Sequence, residues 1–109
     1  MGISESDRLK TKLHALHMRL AELDAELQRT RIEEKQLESR LENARLASMF
    51  GEGNGDVEEL RPQLEAVRHR LEDQLEVITR VRDSQRITRV HYLLLRQQEL
   101  RERKQSSDS

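Results

Sequence analysis

Leucine recurs along the first half of this chain at alternating intervals of four and three residues. In a heptad written abcdefg, that spacing fills positions a and d, which lie along one narrow stripe of an α-helix. Such a stripe needs a partner helix to cover it. The sequence therefore predicts a long helix over about residues 5–50, with Ser4 and Asp7 suited to cap its start. The stripe consists of Leu9, Leu13, Leu16, Leu20, Leu23, Leu27, Thr30, Glu34, Leu37, Leu41 and Ala44.

A glycine-rich segment, residues 51–55, interrupts this pattern with three glycines and an asparagine. Both residue types tolerate the left-handed conformations that end helices and form tight turns, so we expect a turn over residues 51–56. Asp56 is a candidate N-cap for a following helix. Because proline disrupts a helix interior, Pro62 predicts one loose turn before a regular helix from about residue 61.

A second apolar stripe follows the turn and predicts a second helix over about residues 57–104, with a frayed polar tail over residues 105–109. Ala, Glu, Lys, Leu and Arg make up 58 of the 109 residues, a composition typical of coiled coils. Because short connections make helices antiparallel neighbours, we expect residues 1–109 to form one all-α domain, an antiparallel coiled-coil helical hairpin. The second stripe consists of Leu60, Leu64, Val67, Leu71, Gln74, Ile78, Val81, Gln85, Thr88, Tyr92 and Leu95.

Two polar stripe residues favour one register for this hairpin. If the numbers of facing residues sum to 108, every a position faces a d position, and Leu41 lies opposite Val67. The same register places Glu34 opposite Gln74, and a single polar layer in an apolar seam commonly fixes register at some cost in stability. The alternative is that Glu34 and Gln74 both point to solvent where the packing is loose.

Apolar residues also occur outside positions a and d, and a two-helix seam cannot cover them. A contiguous apolar patch usually marks an interaction surface. The alternative is a register shift at residues 83–86, after which Ile87, Val90 and Leu94 would form the seam. The residues outside the stripes are Met18, Ala25, Ile32, Ser39 and Leu46 in the first helix, and Leu75, Val77, Ile87, Val90, Leu93, Leu94 and Leu100 in the second.

Charge is unevenly distributed along the chain. Residues 1–19 carry a net charge of +2, residues 20–78 carry −7, and residues 79–109 carry +4. In a hairpin, the end that holds both termini is therefore basic and the turn end is acidic. Two copies lying antiparallel would be electrically complementary, so we expect a homodimer that forms a four-helix bundle. The competing expectation is an external acidic partner at the basic end.

Arginine occupies six of the seven e positions of the second helix. Only Asp24 and Glu38 at the facing e positions can neutralise these arginines. Arginine suits bidentate contact with carboxylates and phosphates, whereas the alternative is that the six merely cover the seam with their methylenes. We predict that a partner binds the apolar residues Ile87, Val90, Leu93 and Leu94 and is oriented by Arg82, Arg89, Arg96 and Arg103. The e positions are Arg61, Arg68, Leu75, Arg82, Arg89, Arg96 and Arg103.

The sequence contains no pattern for catalysis, a cofactor or a metal. It has no cysteine, and its four histidines lie on predicted helices without a carboxylate placed to orient them as zinc ligands. No phosphate-binding glycine loop or nucleophile elbow occurs. Nucleic-acid binding is a weaker expectation, because the net charge is −1 and only two residues are aromatic. We expect a non-catalytic cytoplasmic protein.

The first six residues match the N-myristoylation pattern M-G-x-x-x-[ST], with Gly2 as the acceptor. Stable membrane attachment needs a second signal, which nearby basic residues are placed to supply. A Met-Gly start is equally what cloning leaves on an excised domain. We therefore expect membrane binding only if Gly2 is a native myristoylation site.

The segment from Leu37 through the turn to Val81 resembles HR1 domains. The shared features are a helix, a short turn, the entry Leu60-Arg-Pro-Gln-Leu64 and a second helix, and they cover under half of the chain. The resemblance implies an antiparallel coiled-coil finger, and several HR1 domains bind Rho-family GTPases. No functional residue is carried across by it.

These features together favour a protein–protein interaction and oligomerisation module of a cytosolic scaffold or cytoskeleton-associated protein. One alternative is an HR1-like finger that binds a small Rho-type GTPase or another acidic protein as a monomer. A third possibility is binding of the basic end to an anionic membrane or nucleic acid.

Overall fold

The computed structural model describes residues 4–51 and 56–108, with side chains described up to residue 106. It contains two long α-helices, α1 (Glu5–Met49) and α2 (Asp56–Asp108), which pack against each other. The predicted all-α helical hairpin is therefore confirmed.

The chain divides into two compact units, and each contains a segment of both helices. We call Leu23–Val77 the turn unit, because it contains the connection between the helices. We call Met1–Glu22 with Ile78–Ser109 the terminal unit, because it contains both chain ends. Each unit is described separately below.

The start of α1 is capped as the sequence predicts. The Ser4 hydroxyl oxygen accepts a hydrogen bond from the Asp7 backbone N–H at 3.2 Å. The Ser4 carbonyl accepts another from the Arg8 N–H at 3.1 Å, which closes the first turn. The first of these bonds satisfies one of the backbone N–H groups that a helix start leaves unpaired, and the second is the first regular bond of the helix.

The end of α1 confirms the role of the first glycine. The Gly51 N–H donates to the Ser48 carbonyl at 3.1 Å, and Gly51 adopts a φ of 76°. A side chain disfavours that left-handed conformation, which is why glycine suits the position after a helix. The rest of the predicted turn, residues 52–55, lies outside the described residues.

Pro62 does not delay the second helix, contrary to the prediction of a loose turn before residue 61. α2 begins at Asp56 and includes Pro62 in its seventh position. Proline leaves the Glu58 carbonyl without its usual donor, but Glu58 is exposed, so water can satisfy that carbonyl. Burial of Leu60 and Leu64 against α1 stabilises the helix around Pro62.

The predicted frayed tail is also wrong over the described residues, because α2 continues to Asp108. No glycine or proline occurs between Gln105 and Asp108. Nothing therefore interrupts the backbone hydrogen bonds there, even though the segment is polar.

The predicted stripes are confirmed as the seam between the helices. All of their residues are buried or half-buried, including the polar members Thr30, Glu34, Gln74 and Thr88. The main core cluster lies in the turn unit and consists of Leu37, Leu41, Leu60, Leu64 and Val67, with Ala44 and Val57 packed against it.

The alternative of a register shift at residues 83–86 is not observed. Thr88 is buried and Tyr92 is half-buried, as the uninterrupted heptad pattern requires. Ile87, Val90 and Leu94, which the shift would have placed in the seam, are instead exposed.

The pairing of the two helices differs from the predicted register by about half a heptad. In four side-chain hydrogen bonds between described residues of the two helices, the residue numbers of the partners sum to 102, 103, 105 and 106 rather than 108. The helix ends that face the turn, Met49 and Asp56, sum to 105. The earlier start of α2 therefore explains the difference, because the connection is shorter than Pro62 led us to expect.

As a consequence, Glu34 and Gln74 do not pair. The Glu34 carboxylate accepts a hydrogen bond from Arg68 at 3.3 Å. The Gln74 amide oxygen is buried and has no hydrogen-bond partner among the described residues. In the observed pairing Gln74 falls level with Thr30, whose hydroxyl donates to the carbonyl of Glu26 at 3.1 Å. A role for Gln74 in fixing the register stays a prediction.

Candidate interaction surface

The predicted apolar partner-binding residues lie together on the outer face of α2 in the terminal unit. Ile87, Val90 and Leu94 follow one another at helical spacing, and Leu93 and Leu100 lie beside them on the same face. We call these five residues the C-terminal patch. Ile87 is 70 % exposed and the other four are between 50 and 60 % exposed, so the seam does not use them.

The patch is flanked by arginines that have no charged partner. Arg89 precedes Leu93 by one helical turn, and Arg103 follows Leu100 by one turn. Within the part of the chain that the structure describes, Arg82, Arg89 and Arg103 make no ion pair. The fourth predicted residue, Arg96, is half-buried and lies 3.6 Å from the Glu99 carboxylate on its own helix. Three of the four predicted arginines are therefore available to a partner.

In the turn unit, by contrast, an arginine of the same e series is used between the helices. Arg68 donates to Glu38 at 3.1 Å and to Glu34 at 3.3 Å. The hydrogen bond to Glu38, together with the smaller effect of Glu34, raises the pKa of the Arg68 guanidinium above its ordinary value. The sequence identified Glu38 as a partner for this series but did not identify Glu34.

A second exposed apolar surface, which sequence reasoning missed in part, lies at the end of α1 in the turn unit. Met49 and Phe50 are each 78 % exposed, and Leu46, one turn earlier, is 45 % exposed. The three residues stand at i, i+3 and i+4 and therefore share one face. We call them the tip patch. Only Leu46 was recognised from the sequence, because we considered position f of α1 and not the neighbouring positions b and c.

Acidic residues outnumber basic ones near the end of α1, although Arg45 lies one helical turn before Met49 and Arg40 lines the groove described below. Glu42 precedes Leu46 by one helical turn, and Asp56, Glu58 and Glu59 form the acidic first turn of α2. Asp56 and Glu59 line a groove with Ala47, which is one turn before Phe50. Among the residues that the structure describes, none of these four carboxylates makes an ion pair.

One groove of the turn unit has a volume of about 770 Å³ and runs along the opposite flank from Arg68. Leu37 and Val67 lie at its base, and Ile32, which is 56 % exposed, lies at its edge. Arg70 crosses it and donates to Glu33 at 2.8 Å.

Neither membrane spanning nor metal binding finds a structural basis in the described residues. No helix over residues 4–51 and 56–108 has a stretch long and apolar enough to cross a bilayer. In the same ranges, histidine and carboxylate side chains form no group able to hold a metal ion. Gly2, the proposed acceptor of a myristoyl group, lies outside the described residues.

The fold and surface thus define a two-helix antiparallel hairpin with two exposed apolar patches of opposite electrostatic surroundings. No protein-family model, no curated protein and no solved structure matches this chain. The likeness to HR1 domains therefore stays a resemblance of pattern.

Proposed function

We propose that this chain is a non-catalytic coiled-coil module for protein–protein interaction and oligomerisation, within a cytosolic scaffold or a cytoskeleton-associated protein. In this proposal two hairpins associate antiparallel and form a four-helix bundle. The observation that carries it is the C-terminal patch, whose five apolar residues stay exposed although the seam between the helices is already closed.

Exposed apolar area of this kind favours association, because transfer of apolar surface out of water is worth about 25 cal/mol per Å². A single exposed apolar residue is ordinary, but five exposed apolar residues close together on one helix segment are typical of interaction sites. The mixed charge of the chain adds direction. The terminal unit has 12 basic and 7 acidic residues, a net charge of +5, whereas the turn unit has 8 basic and 14 acidic residues, a net charge of −6.

In this proposal the patch residues Ile87, Val90, Leu93 and Leu94 supply affinity. The unpaired arginines 82, 89 and 103 select an acidic surface and orient the partner, because charge complementarity contributes more to association rate and specificity than to tightness. Arg96, held by Glu99, contributes less to this selection than the other three.

A second candidate is a monomeric finger that binds an acidic protein, for which the HR1 resemblance suggests a small Rho-type GTPase. The same unpaired arginines favour it, since they would meet carboxylates of an external partner. Binding of these arginines to nucleic acid or to an anionic membrane is a weaker third candidate. These candidates differ from self-association in one measurable property, the mass of the isolated chain in solution.

Sedimentation equilibrium tests the proposal. We expect the wild-type chain to reach dimer mass at micromolar to high micromolar concentration. The double substitution Leu93→Glu with Leu94→Glu should reduce it to a monomer, because two carboxylates then occupy the centre of the patch. Circular dichroism should show unchanged helicity, since neither leucine contributes to the seam.

Met18→Glu is the matched control. Met18 lies in the same unit on α1, is 51 % exposed and is replaced by the same residue type. We expect this variant to dimerise like the wild type. A wild-type chain that stays monomeric at high micromolar concentration would eliminate self-association, and a dimeric double variant would show that another face is used.

A further inference from the structure

The structure assigns a receiving surface to the C-terminal patch: we infer that it docks on the tip patch of a second copy. This inference rests on the proposed self-association and specifies which two surfaces meet. It involves Leu46, Met49 and Phe50 at the end of α1, of which Met49 and Phe50 have no role in the hairpin seam.

Shape and chemistry of the tip patch suit this role. Phe50 is the only phenylalanine of the chain, and at 78 % exposure nearly all of its ring is available. Aromatic and methionine side chains are enriched at the centres of protein interfaces, where they bury large areas at low entropic cost. The five aliphatic residues of the C-terminal patch offer a complementary apolar surface.

Local charge distinguishes this pairing from the alternatives. Arg89 and Arg103 flank the C-terminal patch without ion-pair partners among the described residues. Asp56 and Glu59 also lack ion-pair partners there, and they line a groove with Ala47, which is one helical turn before Phe50. Docking would bring two unpaired cations against two unpaired anions at the edge of an apolar contact. Such rim pairs steer association and fix its orientation.

Docking of one C-terminal patch on another is disfavoured by the same charges. Both copies would present a unit of net charge +5, and their unpaired arginines would face each other. Tip-to-tip docking would bring together two units of net charge −6. Only the mixed contact brings units of opposite net charge together.

A complementation experiment tests this inference. The first variant, Leu93→Glu with Leu94→Glu, lacks a functional C-terminal patch but keeps its tip. The second, Met49→Glu with Phe50→Glu, lacks a functional tip but keeps its C-terminal patch. We expect each variant alone to associate at least about tenfold more weakly than the wild type. An equimolar mixture should recover heterodimers, because one of the two reciprocal contacts is intact.

The outcomes separate this inference from the proposed function. If the tip variant associates as tightly as the wild type while the first variant does not, self-association stands and the tip is not the receiving surface. If both variants are monomeric and the mixture gives no heterodimer, the two patches do not contact each other and the inference is wrong. A monomeric wild-type chain would overturn both and would indicate an external partner.

Two further measurements show whether the tip variant folds and whether the two patches are in contact. Helicity of the tip variant should match the wild type, because both substituted residues are exposed. If it does not, Met49→Gln with Phe50→Ser removes the apolar surface without adding charge.

Because the chain has no cysteine, Phe50→Cys and Leu94→Cys chains can also be mixed and treated with a short bismaleimide. We expect a cross-linked product from the mixture at a higher yield than from either chain alone, and equal yields would contradict the mixed contact.

Discussion

The turn unit and the terminal unit use the same heptad pattern but differ in how much apolar surface they bury. Among the residues that the structure describes, seven of the eight buried apolar residues lie in the turn unit, and Ile78 is the eighth, in the terminal unit. The seam of the terminal unit instead contains half-buried leucines and the buried polar residues Ser6 and Thr88. Its apolar residues are concentrated on the outer face of α2. The terminal unit would therefore bury more apolar surface than the turn unit on binding a partner.

Polar contacts differ between the units in the same sense. In the turn unit Arg68 and Arg70 each form ion pairs with carboxylates of the other helix, at distances between 2.8 and 3.3 Å. In the terminal unit the ion pairs of Arg19, Arg86 and Arg96 each join residues of one helix. The two helices are connected there by the Ser6 hydroxyl, which donates to the Glu99 carboxylate at 2.8 Å.

This difference indicates that the turn unit mainly stabilises the hairpin and that the terminal unit mainly provides surface for association. A segment whose apolar residues and charges are satisfied internally can hold the two helices together without help. A segment that keeps its leucines and arginines outside gains most from association.

The largest effect is expected from truncation of the core. Leu41→Ala, in the turn unit, removes a leucine that is 6 % exposed and should lower the free energy of unfolding by about 2–4 kcal/mol. Leu13→Ala, at the same heptad position in the terminal unit, should cost less, about 1–2 kcal/mol, because Leu13 is only half-buried. Urea unfolding followed by circular dichroism, at a concentration where the chain is monomeric, measures both.

Equal costs for the two leucines would contradict the comparison. A larger cost for Leu13 would show that the seam of the terminal unit packs at least as tightly in solution as the seam of the turn unit. The matched heptad positions ensure that helix propensity affects both variants alike, since each exchanges leucine for alanine inside a helix.

The seam was predictable from the sequence because burial in a two-helix structure follows the heptad period residue by residue. The cap at Ser4 and the left-handed Gly51 were predictable for a similar reason, since each depends on neighbours within one turn. The register was not. It depends on where α2 begins, and Pro62 suggested a later start than the packing of Leu60 and Leu64 permits.

The candidate site was also predictable in part. The exposure of Ile87, Val90, Leu93 and Leu94 follows from their positions outside a and d, and the structure leaves all four exposed. Met49 and Phe50 were missed although the end of α1 was predicted to within one residue. They occupy positions b and c, which lie beside position f on the outer face of the helix, and only position f was considered.

Gln74 is a polar residue in the otherwise mostly apolar seam of the turn unit. Its buried amide oxygen has no hydrogen-bond partner among the described residues, a state that costs about 1–3 kcal/mol. Gln74→Leu should therefore raise the free energy of unfolding by about 1–2 kcal/mol. Gln85→Leu, at a half-buried seam position of the terminal unit, should raise it by less, because no buried unpaired oxygen is removed there. If thermal and urea unfolding rank the two variants in the opposite order, the amide of Gln74 finds a partner in solution.

The smallest effect is expected from the surface charges, and it separates the two units most directly. Arg70→Gln removes the ion pair with Glu33, whose side chains are about half exposed, so the loss should be about 0.5 kcal/mol or less. Arg89→Gln removes an arginine of α2 that has no ion pair within the described part of the chain, and it should leave the stability of the monomer unchanged. In 1 M NaCl the difference in stability between the two variants should disappear, because salt screens exposed pairs.

The effects on association should be the opposite of those on stability. At concentrations where the wild type dimerises, Arg89→Gln should weaken association, whereas Arg70→Gln should not. If neither substitution affects association, the unpaired arginines of the terminal unit only cover the seam, and the apolar patch alone would determine its partner.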